Sequence, residues 1–468
     1  MVFPTASFAL FFPVVLVLSW LLMPRPRIWK PFILASSYVF YSAADPRFCL
    51  LLAAVTLFNQ LAAKLVWRWR EDERRTKQVI TVAVAVDLGV LGLFKYYGFF
   101  TQQIASLFES FGLGAPLPLL ALVLPVGISF FTFQAISYAV DVRRGLIEPA
   151  PLIDFALYLS FFPHLVAGPI VRAREFLPQL KTPRDPSQVA VGAGIVLIGV
   201  GLVKKVLIAD TLARLVVDPV FGAPEVYGAP DVAFAAYAYA AQIYCDFSGY
   251  TDMAIGLALL MGFVFPQNFD HPYRSQSFQE FWRRWHITLS RYLRDFLYIP
   301  LGGNRGGEGK RARNLFLTML LGGLWHGAAW TFVLWGALHG SGLVVERFLR
   351  EHLPERFALP AWAKWLIVFH LVVFGWILFR SPDLGIVSAF LGQLTDFRAP
   401  QLFATVPVLL TVGVIVTQLL PRAPMRALRL RVEALPPVAL GAGLAATIVI
   451  VGAAIPSEAV PPFIYFQF

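Results

Sequence analysis

The chain alternates long apolar runs with short polar connections that are mostly basic. The runs approach the ~20 residues that a helix needs to cross a bilayer, and they are continuous rather than alternating, so helices and not barrel strands are predicted. The first run covers 1–23, and the next two cover 31–44 and 47–66. A fourth covers 79–94, followed by an aromatic, glycine-rich stretch at 95–118 that reads as interfacial. Residues 118–140 return the chain, and 153–170 is apolar but broken by FFPHLVAGP. There Pro163, Gly168 and Pro169 disfavour a straight helix, and His164 is read as a packing or hydrogen-bonded histidine. Further runs fall at 189–208, 232–265, 315–345, 362–379, 385–394, 403–420 and 438–455, and an aromatic tail suited to the interface closes the chain at 461–468. The pattern predicts an all-α, polytopic membrane protein with roughly ten to twelve spanning helices plus interfacial or re-entrant ones. No long polar linker divides it, which predicts one membrane domain over 1–468.

Composition agrees: 58% of residues are hydrophobic and 14% charged, against about 45–50% and about 25% in a soluble domain. The net charge of +11 resides in the connections, among them Arg25, Arg27 and Lys30, and the segment RWREDERRTK at 68–77. By the positive-inside rule these connections are cytoplasmic, so topology accounts for the charge and nucleic acid need not be invoked. The first run has its positive charges behind it rather than in front, the reverse of a cleaved signal peptide, and reads as a retained helix with its N-terminus outside. Cys49 and Cys245 show neither metal nor haem-attachment spacing and read as small packing residues.

Chemistry concentrates at 269–340. On a helix at about 100° per residue, Phe278, Phe281, Trp282, Trp285, Leu289, Tyr292 and Phe296 share one face of 278–297, with Glu280, Arg283, Arg284, Arg291, Arg294 and Asp295 opposite. This predicts one basic amphipathic helix lying in the interface, with His286 at the border of its faces. With the basic loop at 302–313 it makes a patch suited to anionic headgroups or to the phosphates of an acyl-coenzyme A. Downstream, GGLWHG places His326 within the apolar run 315–345, with His339 as a second polar contact. An ionisable residue inside a span is functional by default, and burial keeps a histidine neutral, as a general base must be. A structural histidine and a haem ligand are the other readings of His326. Gln242, Asp246, Ser248 and Asp252 are expected to face the bundle interior or its rim.

The sequences WRRWHITLSRYLRDFLYIPLGGNR at 282–305 and GGLWHGAAW at 322–330, with the ending PPFIYFQF, resemble the membrane-bound O-acyltransferase (MBOAT) family, in particular its alginate O-acetyltransferase-type members. The resemblance implies a funnel-like helical fold with a narrow channel. It implies that His326 is catalytic and that His286 matches the family's second polar position. The candidate substrate-binding residues around them are Arg283, Arg284, Trp285, Asn304, Arg305 and Trp325. It further implies acetyl-CoA as donor with no tightly bound cofactor, and a polysaccharide acceptor. An extracytoplasmic, SGNH-type acetyl-transfer partner and a place among the lipids of the bacterial inner membrane complete the expectation. A transporter or flippase for a glycan or lipid is the alternative from another class. The absence of internal repeats counts against it.

Overall fold

The computed structural model describes residues 3–112, 122–354, 356 and 359–454. The predicted tail at 461–468, the end of the 95–118 stretch and the start of the run at 118–140 lie outside the described residues. Every regular element among the described residues is helical. The chain forms two compact units, one of residues 1–194 with 254–266 and one of residues 195–253 with 267–468.

The first unit contains α1 (Ala6–Leu22), α2 (Pro26–Ser42), α3 (Arg47–Arg68), α4 (Glu73–Ser110), α5 (Ile128–Arg143), α6 (Leu152–Ser160), α7 (Phe162–Leu165) and α8 (Ala173–Phe176). Asp72 caps α4 by accepting from the Arg75 amide at 3.0 Å, and the helix then runs unbroken for 38 residues. It continues past 94, where the glycine-rich composition predicts an interfacial stretch. No proline interrupts it, and Gly89, Gly92 and Gly98 face open space. Glycine alone weakens such a helix by about 1 kcal/mol per residue without ending it. The break at 160–171 is present. Its carbonyl at Val171 accepts from the Tyr158 hydroxyl at 2.9 Å and from the Gln134 amide at 3.4 Å, so buried irregular backbone is satisfied by protein. His164 is fully buried there, with Nε2 2.8 Å from the Tyr158 carbonyl oxygen.

The second unit holds most of α9 (Val191–Gly222) and of α10 (Ala229–Leu260). It continues with α11 (Phe278–Arg284), α12 (Ile287–Leu293), α13 (Glu308–His326), α14 (Trp330–His352) and α15 (Ala361–Arg380), then α16 (Leu384–Gln393), α17 (Thr405–Leu419), α18 (Arg422–Glu433) and α19 (Pro437–Ala454). α9 contains two π-helical segments, Val203–Ala209 and Ala213–Val217. It crosses α10 where Gly201 meets Gly249: a Cβ on Gly201 would stand 2.6 Å from the Gly249 carbonyl oxygen. Ion pairs flank the crossing. Lys204 Nζ lies 2.7 Å from Asp252, and Lys205 Nζ lies 2.6 Å from both Asp246 and Asp210. Lys205 is only 1% exposed, and the two carboxylates are the partners that a buried ammonium needs.

Two further predicted elements differ. The run at 315–345 is not one crossing but an antiparallel hairpin of α13 and α14. Gly323 lies against Phe332 and Gly336, Gly336 against Met319 and Leu320, and Gly340 against Phe316. Gly323, Gly336 and Gly340 bring the two halves of the run onto each other. The arginine-bearing connection between the last two runs is a helix, α18, turned 104° from α17. Five described helices, α3, α4, α9, α15 and α19, are long and apolar enough to cross a membrane, and up to six are if α17 and α18 together make one bent span.

Candidate active site

The amphipathic segment folds as two short helices rather than one. Ser277 caps α11 by accepting from the Glu280 amide at 2.9 Å. The helix stops at Arg284, and His286 adopts a left-handed conformation, φ 43°, before α12 starts. A non-glycine residue holds that conformation only under outside constraint. Residues 268–270 supply it. The Asp270 amide donates to the Arg284 carbonyl at 2.9 Å, and the Ile287 amide donates to the Asn268 carbonyl at 2.9 Å. The Asn268 side-chain oxygen accepts from the Thr288 amide at 3.1 Å and the Thr288 hydroxyl at 2.9 Å, so α12 is capped by a residue that is remote in sequence.

The same oxygen lies 3.2 Å from Nδ1 of His286. Because the Thr288 amide can only donate, the asparagine atom is fixed as an acceptor, and Nδ1 must carry the imidazole hydrogen. Nε2 is left as the ring's acceptor. His286 is fully buried, with the ring of Phe247 edge-on at 4.7 Å. Desolvation pushes its pKa down to about 3, which keeps it neutral at working pH. It therefore does not project at the border of a surface helix.

His326 is the last residue of α13, at the tip of the hairpin and 4% exposed. Its ring is enclosed by Trp325 at 4.9 Å, Trp335 at 5.0 Å and Phe379 at 5.2 Å. Trp325 also lies 6.4 Å from the ring of His286. The structure thus brings His286, Trp325 and His326 together, with the indole in contact with both imidazoles. Two neutral-capable imidazoles in an aromatic, water-poor setting can hold and pass a proton and present a hydrogen bond to a reacting oxygen.

The other sequence-predicted residues are placed differently. Arg283 and Arg305 are exposed. Arg284 is engaged by Glu280 at 2.7 Å and Asp270 at 3.2 Å. Trp285 is 2% exposed and packs on Trp376 at 4.8 Å and Phe269 at 5.0 Å. The side-chain oxygen of Asn304 accepts from the Tyr298 hydroxyl at 2.8 Å and from Arg347 at 3.3 Å. Asn268, Phe247, Trp335 and Phe379 were missed. The one signal for Asn268 was a polar residue at the mouth of the FDHPYR segment. The aromatic three had none beyond their ring type.

Residues 33–381 match the family model described as MBOAT, membrane-bound O-acyltransferase family. The chain is 46% identical over 405 residues to the probable alginate O-acetylase AlgI of Pseudomonas aeruginosa, covering 86% of this chain and 76% of that one. It is 36% identical to the peptidoglycan O-acetyltransferase of Helicobacter pylori, over 77% of this chain and 72% of the relative. To the teichoic acid D-alanyltransferase of Streptococcus thermophilus it is 29% identical, over 48% of this chain and 58% of the relative.

Proposed function

Since the chain belongs to the membrane-bound O-acyltransferase family, we propose that it moves an acetyl group from cytoplasmic acetyl-CoA toward hydroxyls of an exported polysaccharide, alginate or a related surface glycan. One observation carries the reading: relatives matched over 86% and 77% of the chain are named for O-acetylation, while the D-alanyl relative is matched over 48%. The protein is placed in the bacterial inner membrane. Its ten to twelve crossings would require the shorter apolar helices and the α13–α14 hairpin to enter the bilayer beside the longer spans.

The hydroxyl oxygen attacks the thioester carbonyl, the C–S bond breaks, and an acetyl ester and free coenzyme A result. His326 takes the hydroxyl proton as general base and returns it to the departing sulfur. His286, neutral and with its hydrogen on Nδ1, orients a reactant by accepting a hydrogen bond at Nε2; in this tautomer it has no donor left for a developing oxyanion. Trp325 lines the reacting space between them. Arg283 and Arg305 meet the coenzyme A phosphates, Arg284 and Asn304 shape that entrance, and Trp285, buried, supports it from within. No tightly bound cofactor takes part. An extracytoplasmic, SGNH-type protein completes delivery to the polysaccharide.

Transfer of labelled acetyl from acetyl-CoA, measured in membranes carrying equal amounts of wild type and His326→Ala, tests the reading. Label incorporation by wild type and its loss in the folded variant are expected. Equal incorporation by both would remove His326 from the chemistry, and none by wild type would remove the acetyl-CoA assignment.

A further inference from the structure

His339 lies four residues after Trp335 on α14 and is wholly buried. Its ring is walled by Trp335 at 4.6 Å, Trp282 at 5.3 Å, Phe278 at 5.4 Å and Phe281 at 5.9 Å. Among the described residues neither ring nitrogen has a hydrogen-bond partner. The remaining side is closed by Gly375 of α15, where an added Cβ would stand 3.2 Å from Nε2 of His339. The slot therefore uses neither the hydrogen bonds nor the charge of a histidine. What it uses is the ring: imidazole is the smallest aromatic side chain, and the six-membered ring of phenylalanine would press on the α15 backbone at the position that glycine keeps clear.

The slot has a direct connection to the reacting centre. Trp335 packs on His339 at 4.6 Å and on His326 at 5.0 Å, nearly perpendicular to the latter at 84°. We propose that His339 is a positioning residue for acyl transfer. Wedged against Gly375, it sets the plane of Trp335, and that indole sets the orientation of the His326 imidazole. This rests on the acyl-transfer role of His326 given above.

The arrangement can be disturbed from either side. Gly375→Ala leaves His339 in place and pushes on it from α15, His339→Phe enlarges the ring, and His339→Ala removes it. Displacement of a catalytic group by about 1 Å can cost 10²-fold, so each is expected to lower kcat by about tenfold or more. The KM for acetyl-CoA should stay within about twofold, because Trp335 meets His326 and not the donor's phosphates. Combining His339→Ala with Trp335→Phe should cost no more than the worse single change, as befits two parts of one device. Thermal unfolding of each purified variant separates misfolding from misalignment. If His339→Ala does not fold, Gly375→Ala decides. Wild-type kcat in a folded Gly375→Ala variant, or a loss confined to KM, overturns the proposal. If wild type itself transfers no acetyl, the functional reading has failed instead.

Discussion

At the scale of single residues, the side-chain oxygen of Asn268 serves two groups of Thr288 and fixes the tautomer of His286. Asn268→Ala leaves a buried amide and a buried hydroxyl without their acceptor, a loss of about 1–3 kcal/mol. A lower unfolding temperature and weaker transfer are expected. Asn268→Asp, which keeps an acceptor oxygen, should recover most of both, and equal damage from the two substitutions would contradict this role. The histidine itself predicts a pH effect. Its folded pKa, about 3, is below the usual 6.5, so the fold favours the neutral ring. That stabilisation is complete above pH 6.5 and is lost as the pH falls below it, because the unfolded chain then takes up a proton that the folded one refuses. The melting temperature of wild type should therefore fall more steeply between pH 6.5 and 5 than that of His286→Gln. The histidine motifs were legible in the sequence, but the left-handed backbone at His286 was not. Histidine visits that conformation more readily than most residues but adopts it in only a minority of places, and the hydrogen bonds that impose it here come from residues 268–270, remote in sequence.

Among elements, the α13–α14 hairpin rests on backbone contact. A Cβ on Gly323 would sit 2.9 Å from the Gly336 Cα and collide with the Phe332 carbonyl, whereas Gly413 in α17 has nothing within 4 Å. Gly323→Ala should sharply reduce folded yield. Gly413→Ala should be neutral or stabilising by up to about 1 kcal/mol, the difference in helix propensity. Unfolding curves for the pair test this, since similar effects would mean that the hairpin does not depend on close approach. Hydropathy could not distinguish the hairpin from a single crossing. The run at 315–345 is apolar throughout, and its fold-back is set by small residues meeting across the interface. At 278–297 the periodicity identified most of the buried face, as Phe278, Phe281, Trp282, Trp285, Leu289 and Tyr292 show. It did not register the break, because a helical repeat on either side of one displaced residue still reads as one helix.

On the scale of the whole molecule, the helical class was legible because long continuous apolar runs leave few other ways to satisfy the backbone in lipid. The polar groups expected to face inward on α10 gained specific partners: Asp246 and Asp252 take the adjacent lysines of α9. Lys205→Met should destabilise by about 3–5 kcal/mol, since it strands buried carboxylates, while replacing Lys205, Asp210 and Asp246 together by apolar residues should restore much of the loss. Unfolding of the single and triple variants in detergent would show it. Neighbouring lysines reach separate carboxylates because successive residues of a helix diverge by about 100°, and both lie in the π-helical segment Val203–Ala209. Each π turn holds a residue more than an α turn. Lys205 and Asp210 stand five residues apart, about one π turn, so deleting one of residues 206–209 would bring them to the four-residue spacing of an α turn and leave the helix beyond nearly in register. Chain length can thus differ by one residue within VKKVLIA without loss of the clamp: homologous chains that keep it should be either of this length there or one residue shorter, with α geometry in place of the π turn.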